Sequence, residues 1–176
     1  MVMKVDVVAR AVRSLHLGAD TVVVYTDPNG KRFDQAAAQR LSHASRVVFL
    51  CGHYEGMDDR VRQLFATESL SIGDYVMTGG ELAALVISDA MVRLIPGVLG
   101  SPDSLEQDSH NDGLLSYPQY TRPEDFEGVP VPEVLKSGNH ERIRLWRRQQ
   151  ALQATRLNRP DLFSRAELSK EDLDLL

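Results

Sequence analysis

The sequence predicts an α/β protein built on a parallel sheet, followed by a small helical part. Three observations carry this. Thr21–Thr26 and Val47–Cys51 are short apolar, β-branched runs, as expected of strands buried on both faces. Segments of helical spacing alternate with them, the pattern of a sheet whose parallel strands are joined by helices. Five of the eight prolines fall between Pro102 and Pro132, where all periodicity stops. The chain is therefore expected to divide into an α/β domain over 1–99, a flexible linker over 100–131 and a helical domain over 132–176.

In order along the chain, Val5, Val8, Ala9, Val12 and Leu15 share one helical face, and Gly18 suits the position just past that helix. Thr21–Thr26 is the first strand, and Asp27-Pro28-Asn29-Gly30 is strong turn chemistry. Asp34 suits the cap of a helix reaching about Ala44. Arg46–Cys51 is the next strand, and Met57–Phe65 has helical spacing. Ser71–Met77 contains Gly73 and reads as an irregular strand or structured loop. Thr78 and Glu81 have the spacing of a capping box. The helix expected over Glu81–Ile95 is apolar nearly all round, so it needs cover on most sides, in a small protein from a second subunit. A basic helix is expected from His140 to about Asn158. Pro160 suits the first turn of a further short helix, and Ser169 with Asp172 resembles a last cap.

A chain of 176 residues supports one sizeable core with a small appendage. The single cysteine, Cys51, excludes an intrachain disulfide framework and points to a reducing compartment, hence a cytoplasmic location. No apolar run is long enough to span a membrane, and no secretory leader is legible. The net charge of −5 does not itself point to nucleic acid. The distribution does, because six arginines and one glutamate lie between His140 and Arg159. Such asymmetry suits a polyanionic partner, although a solvated helix face would look the same.

No P-loop, dinucleotide-binding glycine fingerprint or serine-hydrolase elbow is present. The histidines are scattered without ligand spacing, and no metal site is legible. Two glycine-bearing loops do stand out, Gly52-His53-Tyr54-Glu55-Gly56 and Thr78-Gly79-Gly80-Glu81. In a parallel sheet, the loops after Tyr25, Cys51 and Val76 gather at the carboxyl edge, where ligands sit. Glycine there lets main-chain groups approach a ligand closely. Each loop alone would equally serve as a tight turn.

The ordered set Cys51-Gly-His-Tyr-Glu-Gly56, Ser71-Ile-Gly-Asp-Tyr-Val76, Gly79-Gly-Glu-Leu82, Ile95-Pro-Gly-Val-Leu-Gly100, Glu106-Gln-Asp-Ser109, Tyr117-Pro-Gln-Tyr-Thr-Arg-Pro123, Ser137-Gly-Asn-His140 and Arg144-Leu-Trp-Arg147 resembles the bacterial tRNA (guanine-N1)-methyltransferases. The resemblance runs from Met1 to about Phe163. It implies the SPOUT class, a parallel sheet with a deep trefoil knot. It implies methylation of N1 of the guanosine immediately 3′ of the tRNA anticodon, with S-adenosylmethionine as donor. By matched position the cofactor pocket would use Tyr25, Thr26, Asp27, Pro28, Gly52, Tyr54, Glu55, Ile72, Gly73, Tyr75, Met77, Gly79 and Gly80. Asp108 matches the general base and Arg93 the catalytic arginine. Ser137, Asn139, His140, Arg144, Trp146 and Arg147 would meet the tRNA. The resemblance further implies a homodimer with the active site at the subunit interface. Magnesium is a family-level expectation without a dedicated site.

Read without the family, Asp108 is a solvated loop carboxylate among Asp103, Glu106 and Asp112, Arg93 a helix-end cation and Trp146 a core anchor. The chain also departs from the family pattern. His53 stands where an arginine is usual and Ser116 where an aspartate is usual, so nucleoside selection or efficiency is open. The chain begins at what corresponds to an internal point of the family sequence, so its start lies upstream or it is a shortened homologue. Two other readings follow, a non-catalytic RNA-binding or dimerisation module and a knotted methyltransferase acting on another RNA nucleoside.

Overall fold

A computed structural model describes residues 1–99, 108–110 and 112–176. Gly100, Asp103 and Glu106 lie outside the described residues. The chain forms two compact units, Met1–Pro102 and Asp103–Leu176. In chain order the first unit contains α1 (Val5–Ser14), β1 (Thr21–Arg32), α2 (Gln35–Ser42), β2 (Arg46–Cys51), α3 (Asp59–Phe65), β3 (Glu68–Ser71) and α4 (Glu81–Val92).

The described strands of this unit form a parallel sheet in the order β2-β1-β3. Its central strand explains the double-sided burial. Val23 and Tyr25 point to one face and pack with Val8, Val12, Leu50 and Val61. Val24 points to the other, fully buried with Leu41, Leu70 and Ile87. β2 alternates in step, with Val48 and Leu50 on the first face and Val47 and Phe49 on the second. The pairings Val23↔Val48, Val24↔Phe49 and Tyr25↔Leu50 keep that alternation in register. A slip by one residue would turn both strands inside out.

Several local expectations are corrected. β1 continues to Arg32, because residues 27–30 bulge out and the strand then rejoins the same neighbour. Thr26 and Lys31 both pair with Leu70. The turn chemistry is present within the bulge, where the Asn29 amide donates to Asp27 Oδ1 at 2.8 Å. A Cβ on Gly30 would stand 2.6 Å from the Leu70 backbone nitrogen, so the bulge closes only around glycine. α1 stops at Ser14, and His16 rather than Gly18 takes the left-handed conformation beyond it. The third strand lies at Glu68–Ser71, so the loop it feeds begins at Ile72.

The Thr78–Glu81 capping box does not form. The cap of α4 is Gly80, with no side-chain hydrogen bond. The Gly80 amide donates instead to the Gly52 carbonyl at 2.9 Å, which ties the helix start to the neighbouring loop. α4 ends at Val92 and buries Ala83 and Ile87, while Leu82, Leu85 and Val86 are exposed. Among the described residues no helix is long and apolar enough to cross a membrane.

The second unit contains β4 (Asp125–Phe126) and β5 (Val129–Pro130), a small antiparallel ribbon, then α5 (Glu133–Lys136), α6 (His140–Asn158), α7 (Pro160–Phe163) and α8 (Lys170–Asp174). Its long helix buries Ala151, Leu152 and Thr155. The proline-rich stretch before it supplies Leu114, also fully buried. Pro160 opens α7, and Ser169 with Asp172 closes a complete capping box on α8.

Candidate active site

At the carboxyl edge of the sheet, the bulge within β1 and the loops after β2 and β3 surround a cavity of about 420 Å³. That is the size of a small-molecule site. All thirteen residues matched to a cofactor pocket line it, from Tyr25–Pro28, Gly52–Glu55 and Ile72–Gly80. Asn29, Gly56, Met57, Ser71, Val76 and Thr78 also line it, outside the thirteen matched positions, although Asn29, Gly56 and Thr78 belong to the turn and glycine loops that the sequence marks. They sit between or beside the matched positions, so loop continuity was the signal available.

Main-chain contacts hold this edge. His53 and Gly79 form an antiparallel bridge beside the Gly80–Gly52 hydrogen bond. A Cβ on Gly80 would collide with Thr26 Oγ1 and come within 3.0 Å of Cys51 Cα. The loops therefore meet at van der Waals distance without a side chain between them. Thr26 Oγ1 donates to the Leu50 carbonyl at 3.2 Å, joining β1 to β2 beneath the cavity. Ser71 Oγ donates to the Gly73 carbonyl at 3.0 Å, shaping the third loop. Tyr54 holds a left-handed backbone conformation at φ 59°, uncommon for a residue other than glycine. Burial pushes the Tyr25 hydroxyl and the Cys51 thiol above their ordinary pKa values. Asp27, Glu55 and Asp59 line the cavity, and the Asp59 carboxylate is paired with Arg62 at 2.7 Å.

The second unit carries two further cavities. One, of about 560 Å³, is lined by Asp108, Ser116, His140, Arg144, Arg147 and Arg148 among others. One carboxylate oxygen of Asp108, Oδ2, is shielded from solvent. The other cavity, of about 450 Å³, is lined by Tyr117, Tyr120, Arg122, Trp146 and Arg147 among others. The loop that follows Asp108 is strapped to α6. Leu115 donates its amide to Thr155 Oγ1 at 2.8 Å, and Arg148 Nη1 reaches Asp112 Oδ2 at 2.5 Å. Ser116 bonds Ser109 through its hydroxyl at 3.0 Å.

A family model described as tRNA (Guanine-1)-methyltransferase TrmD matches residues 1–165. The chain belongs to this family. A protein of Dictyoglomus turgidum named tRNA (guanine-N(1)-)-methyltransferase is 54% identical over 176 residues, covering 100% of this chain and 71% of the relative. Relatives of the same name from Geobacter sulfurreducens and Staphylococcus carnosus are 55% and 52% identical, each over 100% of this chain and 72% of its own length.

Within this methyltransferase-family chain, the other matched residues occupy distinct settings. Arg93 caps the carboxyl end of α4 in the first unit, and Asp108 belongs to the second unit. Asn139 caps α6, accepting from the Arg142 amide at 3.0 Å, and its own amide donates to Ser137 Oγ at 3.2 Å. Arg144 is held between Glu141 and Glu171, with contacts of 2.8 and 2.6 Å. The Arg147 guanidinium lies 4.8 Å from the centre of the Tyr117 ring. His53 approaches Glu81 at 3.9 Å. Among the described residues no group of three or more His, Cys, Asp or Glu side chains gathers to hold a metal.

Proposed function

We propose that this chain methylates N1 of guanosine in tRNA, with S-adenosylmethionine as donor, at position 37, immediately 3′ of the anticodon. One observation carries the reading. In a chain that the family model matches over residues 1–165, the thirteen family-matched pocket positions line a single cavity.

The residues of that cavity fit the cofactor. Close main-chain approach at Gly80 leaves backbone groups to meet an adenine edge. Ile72, Met77 and Tyr25 offer apolar surface, and Asp27 and Glu55 suit a sulfonium cation. S-adenosylmethionine supplies a methyl group activated by that positive sulfur. The chain's own residues handle the proton. Guanine N1 bears a hydrogen, so its lone pair becomes available only as that proton leaves. Asp108 accepts it, and Arg93 stabilises the negative charge that grows toward O6. Alignment of N1 with the methyl group supplies the remainder.

The proposal extends to the finer architecture. The first unit binds the cofactor in a knotted sheet of the SPOUT class and the second binds tRNA through Ser137, Asn139, His140, Arg144, Trp146 and Arg147. The working form is a homodimer with its active site at the subunit interface, acting in the cytoplasm. The exposed Leu82, Leu85 and Val86 of α4 support pairing of two copies.

Calorimetric titration of the chain with S-adenosylmethionine should show stoichiometric binding. Asp108→Ala should retain that binding while methyl transfer to a tRNA transcript falls by about 10²–10⁴-fold, the usual worth of a positioned base. Undiminished transfer would remove Asp108 from the mechanism. Equal methylation of a transcript with adenosine at the target would replace guanosine as the substrate.

A further inference from the structure

Thr155 is fully buried in the second unit, yet the chemistry above gives it no task. Its hydroxyl donates to the Ala151 carbonyl at 2.7 Å, a common bond for a threonine inside a helix. The same oxygen accepts the Leu115 amide at 2.8 Å, from a segment 40 residues earlier in the chain. Buried polar groups satisfied in this way rigidify what they join. Leu114, beside that amide, is 2% exposed and supplies the apolar half of the anchor.

From the anchor a short path leads to Asp108. Ser116 follows Leu115, and its amide donates to Ser109 Oγ at 2.9 Å while the two hydroxyls stand 3.0 Å apart. The His110 amide donates to the Leu114 carbonyl at 2.7 Å, so the segment is tied to itself at two nearby points. Ser109 is the residue next to Asp108. Asp108, Leu115 and Ser116 line one cavity with Ala151, whose carbonyl accepts from Thr155. We propose that Thr155 is a positioning residue for methyl transfer, holding Asp108 in place on α6 through Leu115 and the Ser109–Ser116 clasp. The proposal rests on the reading of Asp108 as the base. A base must stand within hydrogen-bond reach of the proton it takes, and a displacement of about 1 Å can cost about 10²-fold in rate.

The test is the single-turnover rate of methyl transfer, with the full chain in excess over a tRNA transcript and S-adenosylmethionine saturating. Thr155→Val keeps the shape of the side chain and removes both hydrogen bonds. It should slow transfer by about 10–10²-fold, with the Kd values for tRNA and S-adenosylmethionine unchanged, and Thr155→Ser should restore the rate. Ser116→Ala cuts the path at its other joint and should slow transfer too. The double variant should be no slower than the slower single one, because both break one path. Losses that multiply in the double variant would overturn the proposal, as would a loss that serine does not restore. Hydrogen exchange on the unaltered chain gives a check that needs no variant. The Leu115 amide should exchange slowly, and exchange as fast as an exposed amide would overturn the anchor even if Thr155→Val fails to fold. Transfer at the wild-type rate in Thr155→Val, with transfer lost in Asp108→Ala, would overturn the positioning role and leave the base standing. Undiminished transfer in Asp108→Ala would overturn both.

Discussion

The two units hold their functional groups by opposite means. In the first, the main chain does the holding. Strand ends, a bridge between His53 and Gly79 and the Gly80–Gly52 hydrogen bond shape the cavity, and its side chains line a frame already set. In the second, charged side chains do it. Arg148 spans Asp172 and Asp112, and Arg144 spans Glu141 and Glu171. A frame of backbone tolerates changes of charge but no added Cβ at its points of contact. A frame of ion pairs tolerates added bulk at the surface but depends on every charge it uses. Two of the arginines of α6, a helix whose charge suits a polyanion or a solvated face by sequence, are thus engaged in ion pairs within the unit.

The sharpest way to break this contrast is at Arg148. Its Nε and Nη2 reach the two oxygens of Asp172 at 2.6 and 2.9 Å, and Asp172 is only 2% exposed. Arg148→Ala leaves a buried carboxylate without its cation. Such removals cost about 3–5 kcal/mol, and the loss should appear in urea unfolding at neutral pH. The sign of the pH dependence follows. The Arg148 guanidinium beside Asp172 holds its carboxyl well below the ordinary value of 3.8. Its stabilisation is therefore present above that value and fades as pH falls through the depressed one. The gap between wild type and variant should narrow below about pH 4. A gap that stays constant down the acid limb would show that lost packing, not lost charge, is responsible.

The matching test of the first unit is Gly80→Ala. The added methyl meets Thr26 Oγ1 and the Cys51 backbone, neither of which can retreat without disturbing paired strands. Overpacking of this kind costs about 1–3 kcal/mol. Here it should fall mainly on cofactor binding, because the loops must part to admit the methyl. Calorimetry should show S-adenosylmethionine affinity reduced by about ten-fold or more. Exposed charge changes on α3, such as Arg60→Ala, should leave that affinity alone. An unaltered affinity in the glycine variant would mean the loops are not in register when they bind.

The same contrast decides what the sequence could reveal. The strands were legible because double-sided burial leaves an uninterrupted apolar run, and β1 and β2 alternate between two cores as such runs require. The caps at Asp34 and Ser169 were legible because capping is local chemistry, and both form. The Thr78–Glu81 box failed because a tertiary bond, Gly80 to Gly52, outranks a local pattern. The bulge after Thr26 was hidden for the same reason, since a turn and a strand can occupy one segment only when a neighbour rejoins it. At the site, the glycine loops announced a close approach without naming the ligand. The ion-pair frame was invisible, because Asp112, Arg148 and Asp172 lie far apart in sequence and meet only in the fold.

The mildest test is at Ser169, where local and tertiary chemistry meet. Its hydroxyl accepts from the Asp172 amide at 3.1 Å, and Asp172 Oδ2 accepts from the Ser169 amide at 2.9 Å. The same carboxylate holds Arg148, so the capping box both starts α8 and aims the acid at α6. Ser169→Ala removes one half of the box and keeps the ion pair. A lost cap of this type costs about 1 kcal/mol, or about 2–4 °C of melting temperature in a chain of this size. If the ion pair alone orients Asp172, combining Ser169→Ala with Arg148→Ala should give the sum of the two losses. If the cap aims the carboxylate, the double variant should lose less than that sum, because the cap has nothing left to aim. Strict additivity in that double-mutant cycle would confine the cap to starting α8 and leave the ion pairs as the sole frame of the second unit.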